Sequence, residues 1–368
     1  MATGFPRLWV WRIPGAVKAW PLFETRSKDA PIFLTWRPDL PTPDQDILMD
    51  PTTQGRLRRF DFGGSIEQLA HLLGAFDPSA PSNTSSIRIH IVNPYTKHPK
   101  YIDRFLSSSF PKLSVIDIEG FLPDSLSPIF TSSNLTSLRL HSHFREKPRY
   151  TLSQFSEILQ QHPNLRELDL NDRAIPVTEP PGPLVPFVLP RLVVLRLHGY
   201  KSGVLGFSDL IGVSSPLRNI DILIQDSFTM PTPTLIGVMK KILTTHYECP
   251  GLDRPRTTHS LTISSGALGN NLAFDAGSHS TSTSHPASNL KLNFTAVGLD
   301  RAYGLVKDTF PLFQLDHVQE FTAAQLNLPA EVYFKILKCM KGLLHLRLDN
   351  LDVEPVFYVL DLDQRGVY

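Results

Sequence analysis

Apolar residues recur along the chain in a six-residue phrase, apolar-x-x-apolar-x-apolar, set between stretches of helical period. The phrase reads Leu57-Phe60-Phe62, Thr84-Ile87-Ile89, Leu113-Ile116-Ile118, Leu135-Leu138-Leu140, Leu165-Leu168-Leu170, Leu192-Leu195-Leu197 and Leu217-Ile220-Ile222. Looser copies follow at Thr258-Leu261-Ile263, Asn289-Leu292-Phe294 and Val318-Phe321-Ala323, and a clear one at Leu343-Leu346-Leu348. First positions fall 22 to 31 residues apart, with one interval of 41. Two apolar residues spaced by two place both side chains on one face of a strand, and the earlier one anchors the turn leading into it. Between phrases, apolar stripes predict helices over 65–76, 151–161, 234–243 and 329–340, with Thr151 or Ser153 capping the second and Val332, Phe334, Ile336 and Leu337 buried on the last.

A single strand and helix cannot hide its own apolar face, but stacked copies can. The spacing lies near the period of leucine-rich repeats, roughly 20–29 residues. The expected fold is therefore α/β: a leucine-rich-repeat solenoid of about 10–11 irregular repeats, with a curved parallel sheet inside and helices outside. Residues 1–50 read as a cap and Pro-rich linker, and residues 51–368 as the solenoid. Flexible insertions are expected near 246–257, which holds two prolines, and over 264–288, which is rich in Ser, Gly, Asn and Thr.

In this register the residue between the two strand apolars points away from the core. Down the repeats it is Asp61, Arg88, Asp117, Arg139, Asp169, Arg196 and Asp221, then Thr262, Asn293, Thr322 and Arg347. The register was set on apolar residues alone, yet the first seven are all charged and alternate in sign. Strands about 4.8 Å apart would seat each acid between two arginines. Such a row is either a structural ladder, at about 0.2–1 kcal/mol per cross-strand pair, or a binding strip for a peptide of mixed charge. One pleat further on, Gly63, His90, Glu119, His141, Asn171 and His198 share that face. Histidines on alternate strands would be about 9.6 Å apart, too far to share a metal, so solvated imidazoles are expected.

Composition narrows the functional classes. Charged residues are 19% of the chain, and 36 Lys+Arg offset 35 Asp+Glu, so no basic excess marks a nucleic-acid or anionic-lipid partner. Two cysteines, Cys249 and Cys339, make neither a disulfide scaffold nor a cysteine zinc module, and Cys339 reads as buried filler on an amphipathic helix. No apolar run reaches the ~18 residues of a membrane span, and the first twelve residues, with Pro6, Arg7 and Arg12, do not read as a signal peptide. An intracellular location, cytoplasmic or nuclear, is expected. No nucleophile elbow, phosphate-binding loop, dinucleotide fingerprint or zinc-protease motif occurs, so no catalytic, cofactor or metal site is expected.

Pro6-Arg7-Leu8-Trp9, Trp20 and Arg26-Ser27-Lys28-Asp29-Ala30-Pro31 resemble the segment that follows the F-box in fungal F-box proteins, especially those of mushroom-forming basidiomycetes. The repeat starts Phe110-Pro111-Lys112-Leu113 and His162-Pro163-Asn164-Leu165 are similar too. The resemblance implies a non-enzymatic scaffold that selects substrates for an SCF-type ubiquitin ligase, its repeats holding a protein partner. In the family a helical F-box of about fifty residues docks the ligase linker subunit. It would precede Leu8-Trp9, where seven residues stand. Only the recognition half is therefore carried over, with a truncated or degenerate pseudo-adaptor without ligase docking as the alternative and an enzyme with an unrecognised site as the third reading. The asparagine that ordinary leucine-rich repeats place three after the last strand apolar is replaced here by Ser65, Val92, Phe121, His143, Arg173 and Tyr200.

Overall fold

A computed structural model of the chain describes residues 31–37, 51–74, 76–77, 82–92, 100–142, 150–172, 174–176, 187–200, 203–204, 206–207, 211–213, 217–225, 232–247, 258, 260–265, 271–278, 288–295, 299–325 and 328–349. The chain forms two compact units, residues 1–190 and 191–368.

In the first unit, β1 (Ile32–Trp36) and α1 (Pro51–Arg56) precede β2 (Leu57–Gly64) and α2 (Ile66–Gly74). Then come β3 (Ser86–Ile91), α3 (Lys100–Leu106), β4 (Val115–Glu119), β5 (Ser137–Ser142), α4 (Leu152–Gln160), β6 (Glu167–Asp172) and β7 (Phe187–Leu189). The shortest interval, Leu113 to Leu135, leaves no room for a helix of several turns, and a single 3-10 turn, Pro128–Thr131, fills it. The α4 cap is Thr151. Its hydroxyl accepts from Gln154 N–H at 3.2 Å while the Gln154 side chain accepts from Thr151 N–H at 3.1 Å, a reciprocal capping box.

β1 to β6 pair in sequence order and all in parallel. The phrase supplies the register: Phe60, Ile87, Ile116, Leu138 and Leu168 are partners across the strands, as are Phe62, Ile89, Ile118, Leu140 and Leu170. All ten are almost fully enclosed. Each is worth about 1.5–3 kcal/mol of burial, against a few tenths to 1 kcal/mol for a cross-strand ion pair, so the apolar face carries the stability. Phe105 of α3 packs beneath it, with ring centroids 5.3 Å from Phe60, 5.1 Å from Phe76 and 5.3 Å from Phe110.

Just before each strand a polar seam joins successive phrases. The N–H groups of Ser85, Ser114, Thr136 and Arg166 each donate, at 2.8 Å, to the carbonyls of Arg58, Ser85, Ser114 and Thr136. The hydroxyls of Ser85, Ser114 and Thr136 donate to the same carbonyls at 3.0, 2.9 and 3.0 Å. Thr84 fits a leucine position because its buried hydroxyl is satisfied by Ser82 and by the Leu57 carbonyl.

The second unit contains β8 (Val194–Tyr200), β9 (Ile211–Val213), β10 (Asn219–Gln225), α5 (Thr232–Tyr247), β11 (Ser260–Ser265), β12 (Asn271–Ser278), β13 (Ser288–Thr295), α6 (Leu299–Thr309), β14 (Glu320–Ala324), α7 (Ala330–Cys339) and β15 (His345–Asp349). On α7 the buried residues are Val332, Tyr333 and Ile336. Phe334 and Leu337, expected inside, are only half-buried.

In the first unit the sheet runs in the order β1-β2-β3-β4-β5-β6, and in the second in the order β8-β10-β13-β12-β11-β14-β15, with β7 and β9 outside both. The fold is thus α/β with open, mostly parallel sheets. Stacking in simple sequence order fails in one place. β13, not β11, lies beside β10, and β12 runs antiparallel between β13 and β11. The cause lies in the segment read as a flexible excursion over 264–288. It contains β12, whose buried Leu272, Phe274 and Ala276 alternate with half-buried neighbours. Only five residues, 266–270, join β11 to β12, a length that allows an antiparallel hairpin but not a parallel crossover. Of the segment 246–257, residues 246–247 complete α5 and 248–257 lie outside the described residues, as do residues 1–30, 38–50 and 350–368.

Candidate functional site

Strand pleating sends alternate residues to opposite faces, so the side of the sheet away from its apolar layer is a polar surface. In the first unit Asp61, Arg88, Asp117, Arg139 and Asp169 occupy successive partner positions on β2 to β6, the register read from sequence. In the second unit Arg196 faces Asp221, and Asp221 faces Lys291. Lys291 corrects the expectation of Asn293. The strand apolars of β13 are Leu290 and Leu292, two residues earlier than the phrase Asn289-Leu292-Phe294 implied, and Asn293 partners Leu223. Asp275 of β12 is next, its carboxylate 3.5 Å from the Lys291 ammonium, followed by Thr262, Thr322 and Arg347. Alternation of sign therefore extends to Lys291 and Asp275. Asp275 lies in a segment whose Ser, Gly, Asn and Thr content predicts a loop, so its place in the row emerges only from the pairing of β12.

The expectation that each acid sits between two arginines is met in part: Arg139 bridges two acids across the strands. Its Nε lies 3.8 Å from Asp117 and 3.4 Å from Asp169. Asp61 instead pairs with Arg59 of its own strand at 2.6 Å. The histidines one pleat on are not free solvated rings. His90 Nε2 is 3.5 Å from Asp117 and its Nδ1 2.9 Å from Glu119. His141 Nε2 is 2.7 Å from Asp169, and His198 Nε2 is 3.2 Å from Asp221. Each imidazole thus reaches diagonally to an acid of the charged row.

Asp117 and Asp169 are buried although they lie on the polar face, because these neighbours close over them. At His90 the hydrogen bond to Asp117 is the strongest influence. With Glu119 it outweighs burial and raises the imidazole above its ordinary value. At Asp117 burial pushes the carboxyl up, but His90, Arg139 and Arg88 together hold it below the usual range. When protonated, the imidazole donates from Nδ1 to Glu119 and from Nε2 toward Asp117. No group of three or more His, Cys, Asp or Glu side chains able to hold a metal occurs among the described residues. Cys339, expected as buried filler, is exposed.

What this face can do chemically is present alternating donors and acceptors at the strand spacing of about 4.8 Å. No helix among the described residues is long and apolar enough to cross a membrane. Comparisons of the chain with family models, with characterised proteins and with solved structures find no match.

Proposed function

We propose that the chain is a non-enzymatic protein-binding scaffold of the leucine-rich-repeat solenoid type, and that the charged face of its sheet holds the partner. The reading rests above all on that row: charged side chains alternate in sign across successive strands on the face opposite the apolar layer. Ion pairs alone would fix register with any repeating choice of partners. Here several side chains spread their polar groups over a broad, half-exposed surface, and such surfaces give specificity and fast encounter with a complementary protein. One strand per phrase, parallel pairing and the helix-bearing opposite side support the solenoid, from which the β11–β13 set departs. The similarity of the N-terminal phrases to fungal F-box proteins makes the partner a candidate ubiquitylation substrate.

A photo-crosslinking amino acid placed at Ser86 or Asn171 on the charged face, and at exposed positions of α2 for comparison, tests this in cell extract. The expected result is a discrete protein adduct from the face positions only, competed by excess unlabelled chain and lost in Arg139→Glu. Equal labelling from both sides, or labelling that excess chain does not compete, would overturn the proposal.

A further inference from the structure

In the first unit one cation of the charged row has no hydrogen bond or ion pair among the described residues. Arg88 is the register partner of both Asp61 and Asp117, yet neither carboxylate is bonded to it. Asp61 is taken by Arg59 at 2.6 Å, and Asp117 lies between His90 and Arg139. Arg88 helps lower the Asp117 carboxyl only through its charge. Its Nε is enclosed without a hydrogen-bond acceptor. A buried charged donor left unsatisfied is costly, and native proteins rarely keep one without a use for it.

The surface beside Arg88 is open. Gly63 occupies the position where the next pleat of β2 would carry a side chain, partnered with His90. A Cβ built there would meet nothing nearer than the Trp36 carbonyl at 3.9 Å. The sheet face therefore has a notch flanked by Asp61 and His90, with Arg88 diagonally across it. Within reach, the carboxylates Asp61, Asp117, Glu119 and Asp169 face Arg59, Arg88, Arg139 and, when protonated, His90, so the local charges balance. An arriving acid would meet an unused guanidinium and no uncompensated repulsion.

We infer that Arg88, at the notch left by Gly63, anchors an acidic side chain of an extended peptide segment in the protein partner. The inference rests on the reading of this face as the partner-binding surface and names the chemistry of one contact. An arginine fork presents two parallel donors to a carboxylate, which makes the contact selective for Asp or Glu over neutral side chains.

The arginine Nε–Hε resonances of the 15N-labelled full chain report it directly, with the Arg88 signal assigned by its loss in Arg88→Lys. Titration with a hexaglutamate peptide at low ionic strength and pH 6 should shift the Arg88 resonance saturably, while hexalysine leaves it in place. Arg88→Gln should weaken hexaglutamate binding about tenfold or more, the size expected for loss of a charge-assisted pair. Gly63→Val fills the notch without touching Arg88 and should weaken it likewise with the melting temperature retained. An Arg88 resonance that stays put while others move, or binding unchanged in both variants, would overturn the inference. If crosslinking from the charged face succeeds while these variants bind normally, only the Arg88 contact is lost. If crosslinking fails in the unmodified chain, the broader reading falls with it.

Discussion

Arg139→Glu probes the charged row where it is best connected. The guanidinium lies 3.4 Å from Asp169 and 3.8 Å from Asp117, and its own side chain is 40% exposed. Replacement removes two cross-strand attractions and introduces two repulsions, each about 0.2–1 kcal/mol. Partial solvent screening pulls the total toward the lower half of that range, so a loss of about 1–2 kcal/mol is expected. Arg139→Leu removes the attractions alone and should cost about half as much. For a unit of this size the Glu variant corresponds to a fall in melting temperature of about 2–8 °C. Urea and thermal unfolding followed by circular dichroism would measure both variants at low salt and in 1 M NaCl. At the higher concentration the screening length drops to about 3 Å, and the penalty of the Glu variant should shrink toward that of the Leu variant. Equal melting of all three proteins at low salt, or a Glu penalty that salt leaves untouched, would show that the row is not an electrostatic ladder.

The His90 contacts set a pH window. Because its folded value is raised, their contribution is fully present below about pH 6.5, the ordinary histidine value, and is lost as pH rises through the folded value; the lowered Asp117 sets the acid limit, its contribution fading as pH falls through its own folded value. His90→Asn should therefore fall furthest behind the parent near pH 5–6 and converge with it at alkaline pH in urea titrations. His162 has the opposite sign: burial lowers it, so stability present above about pH 6.5 declines as pH falls, and His162→Leu should flatten that decline. Gly120→Ala should destabilise by about 1–3 kcal/mol or more, since φ is +101° and the new Cβ would stand 2.7 Å from Ile91 Cβ. Gly74→Ala, with nothing within 4 Å, should be neutral or mildly stabilising in thermal unfolding followed by circular dichroism. The corrected register of β13 makes Lys291→Glu destabilising, between Asp221 and Asp275, and Asn293→Glu close to neutral.

Legibility from sequence followed the physics of burial. Where a phrase ends in a strand flanked by turns, as at Leu138 and Leu140 or Leu168 and Leu170, two apolar residues fixed both the strand and its outward neighbours, and the row from Asp61 to Asp169 came out in true register. The same rule slipped at Asn289 because Leu290, Leu292 and Phe294 offer two equally good apolar pairs, and only pairing with Ile220 and Ile222 chooses between them. β12 stayed hidden because its alternation includes the small Ala276 and Gly277 amid serine-rich flanks. Its neighbours in the sheet supply the hydrogen bonds that composition alone did not suggest. The diagonal reach of His90, His141 and His198 was also invisible, since it depends on side-chain direction across strands rather than on spacing along one. The serine and threonine seam had a signal that could have been used: a hydroxyl one residue after the first apolar position at Ser85, Ser114 and Thr136.

Thiol accessibility along single strands tests most directly whether the phrases form registered strands with an apolar and a charged face. With Cys249 and Cys339 replaced by serine, single cysteines would be placed at 138–141 in β5, 168–171 in β6 and 290–293 in β13, and labelled with a water-soluble maleimide. The account predicts strict alternation: protection at 138, 140, 168, 170, 290 and 292, and faster labelling at 139, 141, 171, 291 and 293, with 169 intermediate beneath its ion pairs. Uniform labelling within a strand, or protection at 291 with exposure at 290 and 292, would contradict it.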